Sequence, residues 1–193
     1  MNYLAHIFLS GEQPDIMIGN FIADSIKGKK YTSYSAEIQK GILLHRQIDS
    51  TTDAHLAFRK STKRLHENYG HYSGIIVDIF YDHFLAKNWS DYSDIPLEDY
   101  IQSFYKLLRD NFDILPKNIQ KMAPIMMEGN WLLIYADLDG IDRVLAGMNR
   151  RTKNRSGMDT AGRELKEFYT LFEADFKLVI NDLQTLSKNF LSY

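Results

Sequence analysis

The sequence contains no cysteine, which limits both its crosslinks and its metal chemistry. Disulfides, thiolate metal sites and a cysteine nucleophile are excluded, so any metal must be held by histidine, aspartate or glutamate. The chain also lacks a Gly-rich phosphate loop, a GxSxG elbow and an HExxH motif. The familiar short catalytic motifs therefore give no lead to the function.

Excess charge of one sign and long apolar runs are missing as well. The 23 Lys and Arg against 25 Asp and Glu leave a net charge of −2, which gives no overall reason to expect nucleic acid or an anionic membrane as partner. No run approaches the roughly 18–20 apolar residues of a membrane span. The first residues, MNYLAHIFLSGEQPD, lack the basic start and long apolar core of a signal peptide. We expect a cytoplasmic protein.

Proline and glycine are sparse, with four and eleven residues in a chain of 193, and apolar residues recur between them at helical spacing. We predict an all-α bundle of about eight or nine helices in a single domain spanning residues 1–193, since domains typically run to about 100–200 residues. Ser35 and Asp94 suit N-caps, and Pro96 and Pro116 suit first helical turns. The predicted helices cover residues 2–9, 15–27, 35–51, 54–68, 71–88, 97–112, 117–136, 139–151 and 160–190.

Four otherwise apolar segments each carry two polar residues spaced four apart, which places both on one face of a helix. The pairs are Asn2 with His6, Asn20 with Asp24, His45 with Asp49, and Asp78 with Asp82. A buried carboxylate without a partner is costly, so two of them one turn apart require a compensating charge. A divalent cation is the simplest compensator, and nitrogen and oxygen ligands without cysteine suit Mn²⁺, Fe²⁺ or Mg²⁺ better than a structural zinc.

Arginine is the alternative compensator for these carboxylates. Asp78 and Asp82 could belong to one buried ion-pair network in which the cation is Arg46, Arg59 or Arg64. Such a network would need no metal.

Three further residues near these pairs have open roles. His83 lies about 100° around the helix from its neighbour Asp82, so it is either a ligand at the edge of a site or a group that supports a ligand. Asp53 and His55 either continue the helix that carries the ligands, or Thr52 and Asp53 begin and cap the next helix.

The stretch GMNRRTKNRSGMDTAG, residues 147–162, is the least regular part of the sequence. It predicts a surface loop or a frayed helix end that carries four basic residues, Arg150, Arg151, Lys153 and Arg155. A short charge run of this kind is usually solvated. Contact with a partner is the alternative.

Four segments, in this order along the chain, resemble the bacterial acyl carrier protein phosphodiesterases: MNYLAHIFLS, GNFIADSIKG, GILLHRQIDSTTDAH and GIIVDIFYDHFLAKNW. The likeness is dense over residues 1–89 and is limited beyond them to WLLIYADLDGIDRVLAGMNRR. That family is similar to the HD phosphohydrolases, which are all-helical metal enzymes, so the resemblance implies an HD-like bundle. The chain departs from the usual HD pattern because Asp82 precedes His83, whereas the usual dyad is His followed by Asp.

The resemblance implies hydrolysis of the phosphodiester that joins 4′-phosphopantetheine to a serine of holo-acyl carrier protein, with Mn²⁺ as the preferred metal. From position within the segments and from helix geometry we predict five metal ligands, His6, His45, Asp49, Asp78 and Asp82. Three residues are predicted to be catalytic: Asp24, His83 and Arg46, the last as a contact to a phosphoryl oxygen. Acyl carrier proteins are acidic, so the resemblance also implies docking by Arg150, Arg151, Lys153 and Arg155.

Two other functions are compatible with the same residues. The chain could be an HD-like phosphohydrolase that acts on a nucleotide or another small phosphoester. It could also be a non-catalytic helical protein whose polar core specifies packing or binds a partner.

Overall fold

A computed structural model describes residues 1–192, and every regular element in that range is a helix. Eight of the helices have nine or more residues, in line with the predicted all-α bundle. In the described part of the chain, no helix is both long and apolar enough to span a membrane. The α-helices are α1 Tyr3–Phe8, α2 Pro14–Ile22, α3 Ala36–Ala54, α4 Leu56–Tyr69, α5 Ser73–Lys87, α6 Leu97–Asp110, α7 Lys117–Glu128, α8 Trp131–Ile134, α9 Leu138–Arg151, α10 Gly162–Glu167 and α11 Tyr169–Leu191.

The helix boundaries differ from the prediction where the backbone turns within an apolar run. The predicted helix 117–136 divides into α7 and α8 because Asn130 adopts a left-handed conformation with φ 45°. The predicted helix 160–190 divides at Phe168 into α10 and α11. Ser35 caps α3 as predicted, with its side chain accepting from the Ile38 amide, whereas the N-cap of α6 is Pro96 and not Asp94.

Helix α5 is the centre of the bundle and is apolar on nearly all sides. It packs against α1, α4, α9 and α11. On the α11 side, the rings of Phe80 and Phe172 meet edge to face with centroids 5.2 Å apart, and Phe84 stacks on Phe176. Fully buried aromatic pairs of this kind add to the free energy of folding beyond their buried area. The polar residues of α5 are therefore held in a rigid setting.

Helices α2 and α3 cross at close contact through two glycines. A Cβ atom on Gly19 would lie 2.1 Å from the Ile38 carbonyl oxygen, and a Cβ atom on Gly41 would lie 2.2 Å from that of Ile16. The crossing fixes the position of Asn20, which follows Gly19, against His45, which lies one turn beyond Gly41. The close approach of these helices thus brings together residues of two predicted pairs.

Gly41→Ala should destabilise the protein because the added methyl group must push α2 away from α3. Overpacking of this kind costs about 1–3 kcal/mol of the free energy of unfolding. Gly74→Ala is the matched control, since a Cβ atom at this helical position meets nothing within 4 Å. Chemical denaturation should show a clear loss of stability for Gly41→Ala only, and equal stability of the two variants would contradict the close crossing.

Candidate metal centre

Two histidines from different helices lie face to face in the interior. His6 of α1 and His45 of α3 stack with ring centroids 3.9 Å apart and an interplanar angle of 16°. Both side chains are buried. Asn20 of α2, which is also buried, lies beside them: His6 Nδ1 is 2.9 Å from Asn20 Oδ1, and His45 Nδ1 is 2.9 Å from the Asn20 carbonyl oxygen and 3.2 Å from Oδ1.

The orientation of the Asn20 amide determines the tautomer of both imidazoles. Its Nδ2 donates to the His6 carbonyl oxygen at 2.8 Å and to Ser10 Oγ at 2.9 Å, so Oδ1 is the atom that faces the rings. An amide oxygen and a carbonyl oxygen can only accept, so Nδ1 of both histidines must donate. In the neutral imidazoles, Nε2 is therefore left with a free lone pair.

Both Nε2 atoms face the carboxylate of Asp49. The distances are 3.1 Å from His6 Nε2 to Asp49 Oδ1 and 3.0 Å from His45 Nε2 to Asp49 Oδ2. His6 Nε2 is buried and makes no hydrogen bond, even though the carboxylate lies so close. Two lone pairs that face a carboxylate repel it unless a cation, a proton or a metal ion, lies between them.

The donor set fits a divalent metal ion. One ligand atom from each of His6, His45 and Asp49 lies within 4.8 Å of the other two, so the three side chains could hold an ion between them. Two imidazoles and one carboxylate are ligands that Mn²⁺, Fe²⁺ and Zn²⁺ all accept. Asn20 holds the other ring nitrogen of each histidine, as supporting residues in metal sites commonly do.

The metal-free group carries its positive charge on His45. Burial lowers the pKa of His45, but the hydrogen bonds to Asp24 and Asp49 outweigh this effect and raise it to about 9. Burial lowers the pKa of His6 to about 4, because a second cation beside His45 is unfavourable in the interior. Burial raises the pKa of Asp49, but its close contacts with His45 and His6 prevail and hold it well below its usual range.

Asp24 and Asp78 flank this group on two sides. Asp24 Oδ1 lies 3.2 Å from His45 Nε2, and this hydrogen bond lowers the pKa of the carboxyl. Asp78 Oδ1 lies 2.8 Å from the amino nitrogen of Met1, which is itself 3.9 Å from Asp49 Oδ1. Burial raises the pKa of Asp78, and the ammonium group partly offsets this effect. Asp24 thus contacts the His6, His45 and Asp49 group directly, whereas Asp78 is connected with it through the Met1 ammonium group.

Asp82 contacts the backbone of α1. Its Oδ2 accepts from the Leu4 amide at 2.8 Å and its Oδ1 accepts from the Ala5 amide at 3.2 Å. Burial raises the pKa of Asp82 to about 7, although these two amides oppose the shift. The carboxylate satisfies the free amides at the start of a six-residue helix, and it thereby fixes the position of His6.

His83 and Arg46, which are predicted to be catalytic, form their hydrogen bonds outside the His6, His45 and Asp49 group. The ring of His83 lies between the Tyr135 carbonyl oxygen, 2.8 Å from Nδ1, and the Tyr169 hydroxyl, 2.9 Å from Nε2. The guanidinium of Arg46 donates to the carbonyl oxygens of Ile26 and Gly28. These contacts stabilise the packing of α5 and the loop after α2.

The arginines considered as alternative partners of the α5 carboxylates also have other contacts. Arg64 pairs with Asp175 of α11, and Arg59 Nε donates to the Asp53 carbonyl oxygen. Asp53 itself is an exposed residue of α3. Asp53 thus continues the helix that carries the ligands, and the N-cap of α4 is His55, whose Nδ1 accepts from the Ala57 amide, and not Thr52 or Asp53.

A cleft of about 760 Å³ lies next to the metal group, between α5 and α9. Asp24 and Asp78 border it, and Asp24 connects it with the buried His45. Arg150 and Arg151, at the end of α9, also line it, whereas Lys153 and Arg155 are exposed in the turn that follows. The predicted basic loop is thus divided between a helix end that faces the cleft and an outer turn.

The fold and the site define an all-helical protein with a buried group of two histidines and one aspartate suited to a divalent metal. The family model for acyl carrier protein phosphodiesterase matches residues 1–183, and the chain belongs to this family. The match extends well beyond residues 1–89, where the resemblance in the sequence is dense. No solved structure matches the chain.

The relatives carry the same family name. An acyl carrier protein phosphodiesterase of Photorhabdus laumondii is 31% identical over 177 residues, which cover 91% of this chain and 89% of the relative. One of Klebsiella pneumoniae is 30% identical over 201 aligned positions, covering 98% of both proteins. One of Shigella boydii is 30% identical over 184 aligned positions. The likeness therefore covers nearly the whole length of these proteins.

Asp49→Asn should abolish the uptake of a divalent metal, since the neutral amide cannot balance the charge of an ion held by both histidines. The expected loss of affinity for Mn²⁺, followed by its electron paramagnetic resonance signal, is at least about 100-fold. Asp99→Asn, which changes an exposed aspartate of α6 in the same way, should bind Mn²⁺ like the parent. Equal affinity in both variants would exclude Asp49 as a ligand.

Proposed function

We propose that this chain is a metal-dependent phosphodiesterase that hydrolyses the bond between 4′-phosphopantetheine and the serine of holo-acyl carrier protein. Membership of the family supports the reaction and the substrate. The observation that carries the metal dependence is the orientation of two Nε2 lone pairs toward Asp49. We propose Mn²⁺ as the working ion, with Fe²⁺ and Mg²⁺ as substitutes, and the cytoplasm as the location.

The proposed ligands are His6, His45 and Asp49. Asp78, also predicted as a ligand, pairs with the Met1 ammonium group beside Asp49. When bound, the ion would polarise a phosphoryl oxygen and lower the pKa of a water molecule. Asp82 contributes by holding α1, and with it His6, in place. His83 supports the Tyr135 carbonyl at the wall of the cleft. In this proposal, two predicted site residues of α5 position other groups and do not contact the metal.

Asp24 is the residue best situated to handle the attacking water. Its carboxylate borders both the cleft and the proposed ligand His45. It can accept a hydrogen bond from the water and take its proton as the oxygen bonds to phosphorus. The bond from phosphorus to the serine oxygen breaks, and that oxygen takes up a proton. The products are apo-acyl carrier protein and free 4′-phosphopantetheine.

The basic turn after α9, which carries Lys153 and Arg155, has the charge that would attract an acidic protein substrate. Lys153 and Arg155 are exposed and follow directly on the arginines that line the cleft. Positive charge beside the entrance would attract a negatively charged carrier protein and raise the rate of association. Arg150 and Arg151 extend the same surface to the cleft, so docking can bring the serine-linked phosphate to the metal group.

The activity is tested by incubating the protein with holo-acyl carrier protein and Mn²⁺. Mass spectrometry should show that the carrier protein loses its phosphopantetheine arm, and removal of Mn²⁺ with a chelator should stop the reaction. Asp49→Asn should lower kcat by at least about 100-fold, whereas Asp99→Asn should leave it unchanged. An unchanged mass in the presence of bound Mn²⁺ would exclude this substrate, and rapid hydrolysis of a nucleotide instead would point to a small phosphoester.

The docking role is tested by reversing the charge of Lys153 and Arg155 together to Glu. We expect a higher KM for holo-acyl carrier protein and a weaker dependence on salt, with kcat retained, because these side chains lie outside the cleft. Reversal of Lys60 and Lys63, two exposed residues of α4, makes the same change of charge elsewhere. If both double variants have the same KM, the basic turn has no part in docking.

A further inference from the structure

The cleft beside the metal group has the dimensions of a small-molecule site. Its volume of about 760 Å³ falls within the usual range of ligand pockets, and a folded carrier protein cannot enter it. Its apolar wall comes from three helices, with Ile75 and Ile79 from α5, Trp131 from α8, and Val144 and Met148 from α9. A flexible, partly apolar chain attached to a larger protein could lie along such a wall.

The apolar wall on α9 ends in a cation. Val144, Met148 and Arg151 recur at intervals of four and three residues, so they share one face of the helix. The guanidinium carbon of Arg151 lies 5.8 Å from the centre of the Trp131 ring, and Arg151 Nη1 lies 3.6 Å from Met148 Sδ. The Trp131 ring and the Met148 thioether therefore hold the guanidinium in place. Among the described residues, these contacts leave most of its five N–H donors free.

Arg151 lines the same cleft as Asp24, which contacts His45 of the metal group. Tyr3 lines this cleft too: burial raises the pKa of its phenol, the charge of Asp24 adds to this shift and the charge of Arg151 opposes it. The Arg151 guanidinium, and the histidine and carboxylate group once it holds a metal, would be two sources of positive charge for one cleft. A phosphate between them would meet positive charge from both.

We propose that this cleft binds the pantetheine arm of the substrate, with Arg151 donating hydrogen bonds to a non-bridging phosphate oxygen. The substrate in this inference rests on the proposed function. The branched, apolar part of the arm next to the phosphate lies against Val144 and Ile79, and its amides and thiol extend along the cleft. The carrier protein stays outside, and its serine oxygen leaves toward the entrance.

The arm should therefore bind without the carrier protein. The chain has two tryptophans, and Trp89 is buried at 4% exposure, so the fluorescence of Trp131 reports on the cleft. We expect 4′-phosphopantetheine, added in magnesium buffer, to change this fluorescence in a saturable manner, and Trp131→Phe to abolish the signal. Pantetheine, which lacks the phosphate, should bind the same site more weakly.

Two variants separate the phosphate contact from the apolar wall. Arg151→Gln should weaken the binding of 4′-phosphopantetheine at least about tenfold, as expected for a lost hydrogen bond to a charged group, and should leave pantetheine unaffected. Val144→Phe, which adds bulk to the wall, should weaken both compounds. Lys60→Gln removes a positive charge from the exposed surface of α4, outside the cleft, and should change neither. Arg151→Lys keeps the charge and should recover part of the lost affinity.

The inference is overturned if 4′-phosphopantetheine fails to bind, or if neither Arg151→Gln nor Val144→Phe weakens it. It is also overturned if adenosine monophosphate binds the cleft more tightly than 4′-phosphopantetheine does, and if Arg151→Gln and Val144→Phe weaken the binding of adenosine monophosphate. Parallel assays with holo-acyl carrier protein keep the two proposals distinct. If holo-acyl carrier protein is hydrolysed but these binding effects are missing, only the assignment of the cleft is wrong. If 4′-phosphopantetheine binds as expected but holo-acyl carrier protein is not hydrolysed, only the proposed reaction is wrong.

Discussion

The side chain of Asn20 holds both imidazoles of the candidate metal centre in one orientation. Its amide nitrogen is occupied by the His6 carbonyl and Ser10, so its oxygen must face the rings, and each ring must donate through Nδ1. As a result, both Nε2 atoms turn toward Asp49. One buried amide thus converts two core histidines into a pair of ligands.

The packing of the surrounding helices keeps Asn20 and the two histidines in these positions. The glycine contact between α2 and α3 brings Asn20 against His45, and Asp82 ties the short helix α1 to the rigid α5. The costly burial of Asp82 is thereby explained without a metal, since two backbone amides compensate its charge in part. Asp24 and Asp78 differ from it because they border the open cleft, where a substrate can reach them.

Much of the fold could be predicted from the spacing of apolar residues, because a helix that buries one face has apolar residues every three or four positions along the sequence. The division at Asn130 could not, because apolar residues continue through it and only the backbone changes. The spacing of four residues correctly placed His45 and Asp49 on one face. The partners of Asp82 and His83 lie 52 to 86 residues away along the chain, and no local pattern indicates such contacts.

The position of a bound metal tests the account most directly. Crystals soaked in Mn²⁺ and measured at its absorption edge should give an anomalous peak about 2 Å from Nε2 of both His6 and His45, on the side of Asp49. Asn20 should still accept from both Nδ1 atoms in that structure. Two results would contradict this account. One is a metal ion bound to Nδ1 of the histidines, and the other is a metal ion at Asp78 and Asp82 while the two histidines remain hydrogen-bonded to Asp49.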